Sequence, residues 1–173
     1  MDQVLGFITK SVESPDTRRL RAVEGYIELG MYDEADREIE EIDPACPAVS
    51  RVLVLKLCIY AGLCEWRLME AVAKKLAERN PNDPQWAIWR AYAAARGQSI
   101  EVAKKILIQE LRTHPNDPRI HYAMGCYESQ LRHFYIAKRH LARAIQLDAR
   151  LRLVALSDAD LEPLWDELEM IDN

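Results

Sequence analysis

The chain has 173 residues, 49% of them hydrophobic and 29% charged, with a net charge of −5 and a sequence pI near 5.4. That length is enough to bury a real core and is compatible with one domain, and the composition excludes a disordered polyelectrolyte. Only six glycines, few β-branched runs and abundant Ala, Leu, Glu, Lys and Arg favour helix over sheet.

Charge is unevenly placed along the chain. Residues 1–46 sum to −7, residues 47–156 to +9, and residues 157–173 to −7, so acidic ends flank a basic middle. The first segment, "MDQVLGFITKSVES", has an early acid, no basic run and no long apolar stretch, which predicts no signal peptide. No stretch reaches the length a membrane span needs, so a cytoplasmic protein with no membrane partner is expected. Val4, Leu5, Ile8 and Val12 share one helical face and predict an N-terminal capping helix over residues 1–14.

From residue 15 onward the sequence repeats. "PNDP" occurs at Pro81–Pro84 and again at Pro115–Pro118, 34 residues apart, and Pro47 falls in the same column. Steps of 34 also align Ala35, Met69, Ala103 and Ala137, and likewise Ile39, Ala73, Leu107 and Leu141. Val23, Leu57, Ala91 and Gly125 make a third column; Tyr32, Trp66, Ile100 and Phe134 make a fourth. Each unit reads as two amphipathic helices, as in "PRIHYAMGCYESQL" followed by "HFYIAKRHLARAIQLD". Predicted repeats cover about 16–46, 47–81, 82–115 and 116–149, a solenoid over residues 15–149. In each "PNDP", Asp83 or Asp117 is suited to cap a helix and Pro84 or Pro118 to open it, so the motif is punctuation between units rather than a binding loop. The aromatic column sits near the turn, where a large ring is expected to span both helices of its pair. The tail, residues 150–173, offers Leu161, Leu164, Trp165, Leu168 and Ile171 beside seven acids. It predicts an acidic C-terminal capping helix that docks on the basic last repeat, with self-association through the same segment as a further possibility.

These residues carry a resemblance to the tetratricopeptide repeat (TPR) family. Gly125, Phe134, Ala137, Leu141, Ala144 and Leu147 occupy its signature slots in the last unit, and Tyr26, Gly30, Tyr32 and Ala35 match it in the first. The resemblance implies an all-α, right-handed superhelical α-solenoid of about four helix pairs with a capping helix at each end. It also implies a concave wall built mainly from the first helix of each pair. In the family's register the wall positions are Thr17, Leu20, Glu24 and Ile27; Arg51, Val54, Cys58 and Ala61; Pro84, Ala87, Ala91 and Ala94; and Arg119, Tyr122, Cys126 and Ser129. The expected partner contacts are Arg51, Val54, Cys58, Ala87, Ala91, Arg119, Tyr122 and Cys126. Such a wall suits a peptide or helix with apolar anchors and a few acids; the same residues also suit packing between repeats.

Enzyme chemistry has no foothold in the sequence. There is no Gly-rich phosphate loop, no Gly-x-Ser-x-Gly elbow and no His-Glu-x-x-His helix, so no catalytic residues and no cofactor are expected. Cys46, Cys58, Cys64 and Cys126 lack metal-ligand spacing and read as reduced apolar packing residues, with no metal. His114/His121 and His133/His140 are each seven apart and could each share a helix face. The functional expectation is a non-catalytic protein–protein interaction scaffold or adaptor. The alternatives are a chaperone-like or secretion-associated assembly factor, and nucleic-acid binding through Arg132, Lys138, Arg139, Arg143, Arg150 and Arg152. The carboxylate-clamp subclass of the family is disfavoured, because Leu20, Glu24 and Leu55 stand where its Lys and Asn residues belong.

Overall fold

A computed structural model describes residues 14–169; the predicted N-terminal capping helix and Ile171 lie outside them. The described residues are helical and hold no strand. They divide into two compact units, Met1–Leu63 and Cys64–Asn173, a boundary that falls inside the second predicted repeat.

The first unit contains α1 (Pro15–Glu28), α2 (Tyr32–Glu40) and α3 (Val49–Gly62). Ser14 caps α1 by accepting from the Thr17 amide at 3.1 Å, with Pro15 at the first helical position. The helix ends on Gly30 at φ +71°, with Gly30 N donating to Ile27 O and Met31 N to Tyr26 O. This is a Schellman closure, in which the left-handed residue lets the chain turn back while the last carbonyls stay bonded. At nine residues α2 is short, and Ile42 and Cys46 beyond it continue the core. That core joins Leu20, Val23, Ala35, Ile39, Leu55 and Ile59.

The second unit contains α4 (Trp66–Arg79), α5 (Gln85–Gly97), α6 (Ile100–Glu110), α7 (Pro118–Gln130) and α8 (Phe134–Leu147). The tail follows as α9 (Leu151–Ala155), a 3₁₀ turn (Ala159–Leu164) and α10 (Trp165–Glu169). In place of one capping helix, the tail is thus broken into three short pieces. Ser157 and Asp158 interrupt it, and Pro163 supplies no amide to an α-helical ladder, a loss the 3₁₀ turn accommodates.

The repeat columns become the core. Ala35, Met69, Ala103 and Ala137 are each 0% exposed, and Ile39, Ala73, Leu107 and Leu141 are at most 2% exposed. Gly125 shows why a small residue is needed where helices cross: a Cβ there would lie 2.6 Å from Leu141 Cγ. "PNDP" behaves as punctuation. Asp117 caps α7 by accepting from the Arg119 amide at 2.9 Å, with Pro118 opening the helix. At α5 the register is one residue later: Pro84 stands at the cap and Gln85 opens the helix, while Asp83 accepts from the Gln85 amide at 3.0 Å. The aromatic column adds to one expectation. Tyr32 lies over Gly62 at the end of α3, and Trp66 over Gly97 at the end of α5, so each side chain reaches the first helix of the following pair.

Candidate partner-binding walls

On α3, Arg51 does not project a free charge. Its guanidinium grips Glu24 of α1 with Nε–Oε1 2.9 Å, Nη2–Oε1 2.6 Å and Nη2–Oε2 2.7 Å, so two predicted wall residues meet each other. Val54 and Cys58 beside it are half-buried. Burial pushes the Cys58 thiol up, which keeps it protonated and unreactive. Leu20, also expected on the wall, is instead 2% exposed within the core of the first unit.

In the second unit, Ala91 and Ala94 pack in a core cluster with Ala103, Leu107, Ile120 and Met124, while Ala87 is half-buried. These alanines are small because α5 is enclosed by α4, α6 and α7. Arg119 is committed within the fold. It donates to Asp117 through Nε at 3.1 Å and Nη2 at 2.6 Å, and through Nη1 to Gln85 Oε1 at 2.9 Å, tying the start of α7 to the start of α5. Burial alone would raise the Asp117 carboxyl, but the Arg119 guanidinium and the backbone amides outweigh it and hold the carboxyl below its ordinary range.

Tyr122 and Cys126 are covered by the chain's own tail. Tyr122 Oη donates to Asp158 Oδ2 at 2.8 Å, and Cys126 Sγ stands 3.6 Å from the same oxygen. The other oxygen, Oδ1, caps the 3₁₀ turn through the Asp160 amide at 3.0 Å. One carboxylate therefore both starts the tail turn and fixes it to α7. Burial, reinforced by Asp158, pushes both the Tyr122 hydroxyl and the Cys126 thiol upward. Gln130 Nε2 donates to Asp160 Oδ2 at 2.8 Å, and Lys138 of α8 pairs with Glu167. Beneath these polar contacts Leu161, Leu164 and Leu168 pack with Cys126, Ala137 and Leu141, and Trp165 Nε1 donates to Ala155 O at 3.0 Å. Sequence reasoning placed Tyr122 and Cys126 on a wall and the tail against the last repeat. It missed Gln130 and the bond from Tyr122 to Asp158; the capping role of Asp158, the acid immediately before the tail turn, was legible as an N-cap signal.

The buried Glu128 of α7 accepts from Lys104 of α6 at 2.7 Å and pairs with His133 at 2.8 Å. Its burial favours the neutral acid, yet these two partners win and keep the carboxyl low. Among the described residues no group of three His, Cys, Asp or Glu side chains is placed to hold a metal, and no helix is long and apolar enough to cross a membrane.

The fold class is all-α, of the tetratricopeptide-type helical solenoid. Among solved structures it is similar to MamA MSR-1 C2, with a TM-score of 0.61 and 20% identity over 79% of each chain. It is also similar to a MamA mutant, with a TM-score of 0.57 and 20% identity over 78% of each chain. No family model matches the sequence, and no curated protein matches it either.

Proposed function

We propose that this chain is a non-catalytic interaction scaffold that captures a peptide or helix of a partner protein on the walls of its helix pairs. The observation that carries this reading is the seated tail. Asp158, Leu161, Leu164 and Leu168 lie against the Tyr122–Cys126–Gln130 wall as one acid followed by three buried leucines. A partner segment of the same chemistry, an acid followed by leucines at helical spacing, would satisfy the same groups. Arg51, Val54 and Cys58 are the corresponding proposed contacts on α3, with Arg51 exchanging Glu24 for a partner acid. Ala87 and Ala91 contribute shape rather than contact energy. The scaffold acts in the cytoplasm, and the same tail is the element through which one chain would engage a second.

A tethered tail faces its own wall at an effective concentration of about millimolar, so an external segment must outcompete it. The test is anisotropy of a labelled peptide with the sequence of residues 157–169, titrated onto the full chain and onto its Leu161→Asp variant. The variant, with its own tail loosened, is expected to bind at least about 10-fold tighter than the parent, one decade per 1.4 kcal/mol of released competition. Absence of saturable binding to both proteins refutes the reading. Nucleic-acid binding is the less favoured reading, because Lys138 pairs with Glu167 and Arg150 with Asp148, which removes two of the six charges of the basic stripe.

A further inference from the structure

Between α7 and α8, where they meet the turn after Pro115, two imidazoles face each other. His121 Nδ1 and His140 Nδ1 are 3.1 Å apart, with ring centroids at 5.4 Å. The hydrogen bonds assign the protons. His121 Nε2 lies 3.0 Å from the Pro115 carbonyl, which only accepts, so that nitrogen carries hydrogen. In its neutral form His121 then accepts at Nδ1, and His140 must donate from its own Nδ1. His140 Nε2 is left as the basic nitrogen of the pair.

These two rings, with Ile136, Arg139 and Arg143 of α8, line a cavity of about 340 Å³. Neither arginine is neutralised by a carboxylate among the described residues. Arg143 donates to two neutral amides, Asn116 Oδ1 and Gln146 Oε1, each at 2.6 Å, and keeps three of its five N–H groups for other acceptors. Two guanidinium groups without a carboxylate partner, beside a protonatable imidazole, suit an anion of more than one negative charge, because each can donate to it with charge assistance.

We propose that this cavity is a binding site for a phosphate dianion, either free or at the end of a small phosphomonoester, held by Arg139, Arg143 and the His121–His140 pair. The site goes beyond peptide capture: it uses the α8 arginines and the imidazole pair, none of which hydrogen-bonds to the tail among the described residues. Protonation at His140 Nε2 supplies the third donor and leaves the Nδ1–Nδ1 bond intact, so anion binding and uptake of one proton are coupled. The charged groups acting on His140 are His121 and Glu128 from α7, Lys104 from α6 and Arg139 from its own helix. Of these Glu128 alone favours the imidazolium, and an arriving anion adds to it.

Calorimetry of the full chain at low ionic strength, with inorganic phosphate, sulfate and glycerol phosphate as separate probes, tests the site. One phosphate per chain is expected to bind with a dissociation constant on the order of millimolar. Arg139→Gln and Arg143→Gln should each weaken it about tenfold, while Arg150→Gln, whose guanidinium is paired with Asp148, should leave it unchanged. Sulfate stays dianionic through mild acid, so its affinity should rise between about pH 7.5 and 5.5 as His140 takes up its proton. Tighter glycerol phosphate than phosphate identifies a monoester site, and the reverse order a free-anion site. In the unmutated chain, the imidazole ¹⁵N resonances of His121 and His140 should move with the same saturation, which keeps the test independent of whether a variant folds. Absence of saturable heat, stationary imidazole resonances, or an equal loss in Arg150→Gln overturns the proposal.

Discussion

Replacing Asp158 by Ala removes the joint between the tail and α7, and the structure lets its size be worked out. One oxygen caps the 3₁₀ turn, a contribution of about 1 kcal/mol at a helix start. The other accepts from Tyr122 at 2.8 Å, and a hydrogen bond to a charged group contributes about 1.5 kcal/mol at the lower, partly solvated end of its range. Together they favour the docked tail by about 2.5 kcal/mol, close to two decades in the opening equilibrium. The tail packs on one helix pair through few elements, so it is expected to open on its own before the rest of the second unit unfolds. Native-state hydrogen exchange reads that opening directly. The Leu161 amide, bonded to the Asp158 carbonyl at 2.9 Å, should exchange about 50-fold faster in Asp158→Ala, while amides of α5 keep their protection. Tyr122→Phe should give a smaller increase of its own, and the double variant should fall short of the product of the two by about tenfold, because both remove one contact. Unchanged exchange at Leu161, or strictly multiplicative effects, would refute the claim that Asp158 couples the tail turn to the wall.

Three further outcomes follow from single features. Gly125→Ala should destabilise the chain by about 1–3 kcal/mol in urea melts, since its Cβ would meet Leu141 at 2.6 Å, and the added Leu141→Ala change should cost less than it does alone. Arg132 closes α7 at φ +59° in the position Gly30 holds after α1, with His133 N bonded to Glu128 O; Arg132→Gly should raise stability by about 0.5–1 kcal/mol in the same assay. For pH, burial and then His121 hold the His140 imidazole below its ordinary value of 6.5, so the unfolded chain binds the proton first on acidification. Stability should therefore fall as pH drops through about 6.5 and level off below the folded value, before the Glu128 and Asp117 carboxylates titrate; in His140→Asn this early loss should be absent.

The 34-residue columns were legible because a helix pair must bury the same face in every unit, and burial leaves a periodic trace in residue size. Ala35, Ala103 and Ala137 show it plainly. Met69 shows its tolerance: a flexible thioether fits at full burial where the neighbouring units use alanine. The left-handed closures show the same period in the backbone, since Gly30, Cys64 and Arg132 all have positive φ at 34-residue steps or multiples of them. Only the first of these is glycine, so a search for glycine finds one closure in three.

The walls were less legible, for a reason of geometry. Periodicity says which face of a helix a residue occupies and nothing about what covers that face. Leu20 and Ala91 fall on the wall by register and yet lie in core clusters, because neighbouring helices approach from more than one side. Tyr122 and Cys126 fall on the wall and meet Asp158, which is 36 residues from Tyr122 in sequence and across a break in the tail helix. Arg51 and Arg119 read as cations waiting for a partner's acids, but a guanidinium near a helix start finds a carboxylate of its own chain whenever one is within reach. On the proposed function, recognition by these walls is an exchange of partners. An incoming acid would displace Glu24 or Asp158 rather than fill an empty place, so the difference between two pairings would set affinity. That is why a ligand resembling the tail is the one to look for: it is the segment whose pairing with this wall is already balanced against water.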